Sequence, residues 1–132
     1  MEIKELAELL RQCWCKETSY DPTGWTKSNP AWGQCAVTAF IVTDYFGGDL
    51  IAAGAILPNG ARTPHYFNRI EGNIVDLTQE QFPEGTVISD IQVVVEGFCV
   101  ERDRDFFAAS THERYKLLKS KLETLLKNQK KE

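Results

Sequence analysis

The chain has 132 residues, 42% of them hydrophobic, which suffices for one domain with a real core, residues 1–132, and is too short to argue for two. A net charge of -4 and a pI near 5.2 speak against general affinity for nucleic acid or anionic membrane, because phosphate binding depends on concentrated Lys and Arg. No apolar run approaches membrane-spanning length, and Met1-Glu2-Ile3-Lys4-Glu5 lacks the basic and apolar regions of a signal peptide, so the expectation is a cytoplasmic protein without a membrane partner.

Ile3, Leu6, Leu10, Cys13 and Trp14 recur at helical spacing, with Glu2, Lys4, Glu5, Glu8, Arg11 and Gln12 on the other face. This predicts an amphipathic helix of about four turns. The stretch Glu17 to Ser28 contains the turn Asp21-Pro22-Thr23-Gly24 and is long for a connection. Loops of that length in small domains tend to carry function, and this one leads into the next helix.

That helix is bracketed by Asn29-Pro30, a turn signal, and by Gly47, the residue type that best tolerates a left-handed helix end. Ala36, Val37, Ala39, Phe40, Ile41, Val42, Tyr45 and Phe46 fall on nearly every side of the wheel, as in a helix packed inside a core. Cys35 lies in its first turn. Unpaired backbone N–H groups and the positive end of the macrodipole stabilise negative charge there.

After Gly47-Gly48 the periodicity becomes extended. Asp49 to Leu57 reads as a strand, Pro58-Asn59-Gly60 as a turn, and Thr63 to Ile70 with Asn73 to Leu77 as an antiparallel hairpin around Glu71-Gly72. Thr78-Gln79-Glu80-Gln81 fits a capping box for a short helical turn that Pro83 ends, and Ile91 to Val95 is a last strand. Glu101 to Asp105 has no assignment. Ser110-Thr111-His112-Glu113 caps a C-terminal helix whose buried stripe is Tyr115, Leu118, Leu122 and Leu125, widened by Leu117 and Leu126. Its basic end, Lys127-Asn128-Gln129-Lys130-Lys131, reads as solvated. Two helices, three or four antiparallel strands and a last helix make an α+β architecture, with the Cys35 helix packed on the sheet.

A cysteine becomes a nucleophile when a base can take its proton and a third group holds that base in the right tautomer. His65 and Asp76 lie on the two strands of the hairpin. If Ile70 pairs with Asn73, Phe67 faces Asp76 and His65 stands diagonally from it on the same side, roughly 7–8 Å away at the backbone and within side-chain reach. A one-residue slip would send Asp76 to the other face. In this reading His65 deprotonates Cys35, the thiolate attacks a carbonyl carbon, and Asp76 orients the ring. The Cys35 N–H, with a side-chain amide from Gln34 or Asn29, meets the oxyanion.

Each residue also has a plainer reading. Free cysteine is among the most buried residue types, a strand histidine is commonly structural, and Asp76 could simply start the following turn. Trp32 is either a cap on the core or a cleft wall. His112 reads as a solvent-facing helix residue, Cys99 in Gly97-Phe98-Cys99-Val100 as an inert apolar thiol, and Cys13 as part of a buried stripe. The four cysteines are few for a disulfide scaffold and read as free thiols. Cys13-Trp14-Cys15 is not a zinc-finger spacing, and a zinc site on Cys35 and His65 lacks further nameable ligands.

Asn29-Pro30, Gly33-Gln34-Cys35-Ala36-Val37-Thr38-Ala39, Asp44-Tyr45-Phe46-Gly47-Gly48, His65-Tyr66-Phe67-Asn68-Arg69, Asp76-Leu77-Thr78, Gln81-Phe82 and Arg114-Tyr115-Lys116-Leu117-Leu118 resemble the YunG-like family of small bacterial proteins. Phe67 stands where a Trp is common in that family. The resemblance covers nearly the whole chain and names relatives without naming a reaction.

The order helix Cys, strand His, polar residue on the next strand is also similar to papain-like, transglutaminase-like and NlpC-type cysteine enzymes. This broader likeness implies a papain-like fold with Cys35, His65 and Asp76 as nucleophile, base and orienting group. Gln34, Asn29, Trp32, Trp25 and Asn68 are then the oxyanion and cleft candidates. The expected activity is a thiol-dependent hydrolase or acyltransferase, without cofactor or metal, acting on an amide, isopeptide or thioester bond of a peptide, a protein side-chain amide or a small acylated substrate. A non-catalytic binding module, with a cleft of Trp25, Trp32, Tyr66 and Phe67, is the alternative.

Overall fold

In the computed structural model, which describes residues 1–130, three α-helices pack against a four-stranded antiparallel sheet. Lys131, part of the basic end noted above, lies outside the described residues. Helix α1, Ile3–Cys13, buries Leu6, Leu9, Leu10 and Cys13 against helix α3, Ala109–Lys130. Trp14 closes α1, and its indole donates a 2.9 Å hydrogen bond to Thr38 Oγ1 of the second helix.

That helix, α2, spans Cys35–Phe46 and starts later than Asn29-Pro30 suggests. The cause is Gly33, whose φ of +74° is incompatible with a right-handed helix and turns the chain just before Gln34. Every residue from Ala36 to Thr43 is buried, because α2 lies between the sheet and α3. Gly47 ends it with φ +69°.

The sheet has the order β3-β2-β1-β4, with β1 Asp49–Ile56, β2 Arg62–Ile70, β3 Asn73–Val75 and β4 Val87–Val95. Glu71 and Gly72 have φ of 51° and 81°. A hairpin joined by such a pair twists in the same sense as its strands, which fixes Ile70 opposite Asn73 and Asn68 opposite Val75. The ladder stops there, so Asp76 leaves the strand one residue beyond it, earlier than the expected end at Leu77.

Strand β4 is longer than Ile91 to Val95. Asp90, at φ 54°, sits where the β1–β4 register shifts, and the bulge interrupts the alternation on which the sequence reading relied. The unassigned Glu101 to Asp105 is a set of turns in which Asp103 accepts the Cys99 N–H and pairs with Arg102. Cys99 itself is exposed, since only its neighbours Phe98 and Val100 point into the core.

Phe40 is the centre of that core. Phe98 and Tyr115 lie at centroid distances of 5.2 and 5.6 Å, and Phe107 meets it edge-on at 4.8 Å. His112 is buried beside it and donates its Nε2–H to the Arg104 carbonyl at 2.7 Å, so it does not face solvent. Leu117 is exposed, while Leu125 and Leu126 are half-buried.

Tyr115 donates its hydroxyl to Asp44, which also accepts from Lys119, tying the last turn of α2 to α3. Burial, then the Asp44 carboxylate, pushes the phenol up to about 12. Tyr115→Phe is expected to lose about 1 kcal/mol, the usual net worth of one such hydrogen bond, read as a lower melting temperature with unchanged far-UV dichroism.

Candidate active site

Three loops converge on the start of α2 and set its position. Ser19 Oγ donates to the Trp32 carbonyl at 2.7 Å, and Tyr20 N–H donates to the Gly33 carbonyl at 2.8 Å. From the third loop, Gln81 Oε1 accepts the Gly33 N–H at 3.1 Å and its backbone carbonyl accepts the Asn29 amide at 2.9 Å. Cys35 is therefore the first helical residue, held by contacts from residues 15–21, 29–34 and 78–82. The first hydrogen bond of α2 runs from Thr38 N–H to the Gln34 carbonyl, which leaves the N–H groups of Cys35, Ala36 and Val37 without an intrahelical acceptor.

Strand β2 carries His65, fully buried, with Ala53 of β1 opposite it. Its Nε2 lies 2.6 Å from Asp76 Oδ2, and Asp76 Oδ1 accepts the Thr78 N–H at 3.2 Å. Phe82 packs edge-on against the imidazole at 4.9 Å and Phe67 tilts over it at 5.4 Å, so the ring has one orientation.

Nδ1 is buried and has no partner in hydrogen-bonding geometry. The Cys35 thiol is near enough to the imidazole to influence its charge. Burial alone pulls the imidazole pKa down, but the Asp76 and Cys35 hydrogen-bonding groups and their charges outweigh it and raise the pKa to about 9. The thiol is thus close enough to favour the imidazolium while the resting arrangement stops short of a closed S–N hydrogen bond.

Cys35 is half-buried and lines a cavity of about 600 Å³, a size suited to a small ligand or a few residues of peptide. Trp32, Tyr66, Phe82 and Phe107 form its apolar walls. Burial, then the Cys35 charge, raises the Tyr66 phenol pKa.

Trp32 is in the wall, with its indole N–H anchored on Asp21 at 3.0 Å. The other cleft candidates face elsewhere. Gln34 is fully buried and gives its amide N–H to the Cys15 carbonyl, while Asn29 gives its amide to Gln81. Trp25 donates to the Pro30 carbonyl, and buried Asn68 donates to the Ala39 carbonyl, tying β2 to α2. These four polar groups bond to backbone carbonyls, and none of the four residues lines the cavity that Cys35 opens onto. Phe67 is also buried behind His65 rather than in the wall.

Gln81, Phe82, Phe107 and Arg114 reach the cavity without having been named as site candidates from the sequence, although Gln81-Phe82 and Arg114 lie in motifs that carry the family resemblance. Only the Thr78-Gln79-Glu80-Gln81 capping-box spacing pointed to an ordered turn at one of them. Among the described residues no group of three or more His, Cys, Asp or Glu side chains is gathered to hold a metal ion, so Cys35 and His65 find no further zinc ligands. No helix among these residues is long and apolar enough to cross a membrane.

The uncharacterized protein YunG of Bacillus subtilis (strain 168) is 35% identical over 80 residues, an overlap of 61% of this chain and 63% of that protein. No solved structure matches. The family model described as YunG protein matches residues 2–127. Nearly the whole chain, including Cys35, His65 and Asp76, falls within that match, and the protein belongs to the YunG family.

Proposed function

We propose that the protein is a thiol-dependent hydrolase or acyltransferase of amide, isopeptide or thioester bonds, on a papain-like arrangement in which Cys35 is the nucleophile, His65 the base and Asp76 the group that orients it. The observation that carries this reading is the buried His65–Asp76 pair, 2.6 Å apart, which leaves Nδ1 unpartnered on a ring whose charge the cavity-lining Cys35 influences. A purely structural histidine has no need of an unsatisfied buried nitrogen, which costs about 1–3 kcal/mol.

In the proposed cycle the Cys35 proton passes to Nδ1, giving a thiolate and an imidazolium that Asp76 stabilises through Nε2–H. The sulfur forms a bond to the substrate carbonyl carbon, and the oxyanion is met by the unspent N–H groups of Cys35 and Ala36 at the helix start. The C–N or C–S bond to the leaving group then breaks as Nδ1–H protonates it. Water resolves the acyl-enzyme in hydrolysis, and an amine or thiol does so in transfer.

The test is site-resolved alkylation with iodoacetamide between about pH 5 and 8, against the exposed Cys99 as internal standard. Cys35 should stay reactive below neutral pH while the rate at Cys99 falls. Asp76→Asn should cost Cys35 about tenfold in rate near pH 6, because the imidazolium loses its countercharge. Parallel profiles for the two cysteines in the native protein would refute activation.

A non-catalytic binding module on the same scaffold has one observation in its favour, the resting Nδ1 that closes no bond to sulfur. It predicts those parallel profiles together with ligand binding that survives Cys35→Ala.

A further inference from the structure

Arg114, on α3, brings a guanidinium to the wall of the Cys35 cavity and is the one cation lining it among the described residues. Its hydrogen bonds are two long ones, 3.5 Å to the Thr18 carbonyl and 3.3 Å to Thr111 Oγ1. No carboxylate among the described residues pairs with it. Asp21 lines the same cavity, but its oxygens accept from the Gly24 N–H and the Trp32 indole.

The guanidinium lies over the Tyr20 ring, 5.6 Å from its centroid, which holds the planar fork in one attitude. Half-buried and without a carboxylate partner, it carries a desolvation cost that lowers its pKa, which the nearby Cys35 and Tyr20 charges only partly offset. A cation kept in this condition beside a nucleophile is matched to an anion that arrives from outside.

We propose that Arg114 is a carboxylate-recognition residue and that the substrate is an acyl compound bearing a free carboxylate a few bonds from the scissile carbonyl. The guanidinium fork fits a carboxylate through two parallel N–H···O bonds. A single cation in a cavity that Asp21 also lines suits one negative charge better than a phosphate dianion. This substrate class rests on the acyl-transfer reading of Cys35, and the anion site can be tested apart from it.

The probes are N-iodoacetyl-glycine, N-iodoacetyl-β-alanine and N-iodoacetyl-γ-aminobutyrate, each paired with its neutral carboxamide. The cysteine sulfur displaces iodide and forms the C–S bond, and the adduct is located by mass spectrometry on the full chain. At one spacer length Cys35 should prefer the acid over the amide by about tenfold relative to Cys99, equivalent to about 1.4 kcal/mol. Arg114→Gln should reduce the preference to the Cys99 value. Arg114→Lys, which keeps the charge and loses the fork, should retain part of it and tests the site even if the glutamine variant fails to fold.

An acid:amide ratio at Cys35 equal to that at Cys99 for every spacer, or a preference undiminished in Arg114→Gln, would overturn the proposal. Equal slowing of acid and amide in Arg114→Gln would also overturn it, since the guanidinium would then serve the thiolate rather than a ligand. A Cys35 no faster than Cys99 towards the amides sinks the catalytic reading. In that case an acid preference abolished by Arg114→Gln still upholds the anion site, and its absence overturns it.

Discussion

Alanine in place of His65 is expected to slow alkylation of Cys35 near pH 6 on the order of 100-fold, with Cys99 unchanged. An unassisted thiol with the ordinary pKa of about 8.5 has well under one part in a hundred as thiolate at that pH, and in the proposed mechanism it is the His65 imidazolium that supports a larger fraction. The gain from a larger thiolate fraction is partly offset by lower intrinsic nucleophilicity, so the change stays below the full ratio of thiolate populations. A rate within about twofold of the native protein would leave Cys35 without its base.

The same substitution changes the pH dependence of stability. His65 has a folded pKa of about 9 against an ordinary 6.5, so its contribution is fully present below about 6.5 and is lost as pH rises through about 9. Its ceiling is about 3 kcal/mol, the equivalent of that shift. The native protein should therefore lose stability across this window, and the difference from His65→Ala should narrow with it. Denaturant melts at three pH values measure the difference, and one that widens with pH would contradict the assigned direction.

How far the site was legible depended on whether each residue had a local partner. The hairpin register followed from Glu71-Gly72, because two successive left-handed residues admit one short loop, and with it His65 and Asp76 came to the same side. The α+β order was legible because α2 is apolar all round while α1 is amphipathic. The amides were not legible. Gln34 and Asn29 precede a helix, where a side-chain amide can serve an oxyanion or an unpaired backbone group equally well, and only the packed loops decide.

Arg114 and Phe107 reach the cavity through tertiary packing from far along the chain, and a helix period does not say which exposed-looking cation turns inward. His112 was misread for the same reason. Cys99 shows the converse error, an apolar tetrapeptide whose turn points one member to solvent.

Gly33→Ala should destabilise the protein by about 3 kcal/mol and lower its melting temperature by roughly 10 °C. A Cβ at this position would lie 2.2 Å from Ser19 Oγ and 2.8 Å from the Tyr20 backbone nitrogen. The hydroxyl could rotate, but it is bound to the Trp32 carbonyl, and the Tyr20 N–H is spent on Gly33's own carbonyl, so both contacts resist movement. To this crowding is added about 1–2 kcal/mol for holding alanine at φ +74°.

The contrast is Gly60→Ala, also at positive φ, where a Cβ meets nothing within 4 Å. That variant should lose only the backbone term, about 1 kcal/mol. Because Gly33 sets where α2 begins, its alanine variant should also slow Cys35 alkylation below neutral pH, while Gly60→Ala leaves that rate unchanged. Equal losses of stability in the two variants would mean that the close approach at Ser19 and Tyr20 does not set the entry to the helix. The thiol would then owe its position to the Gln81 contacts alone.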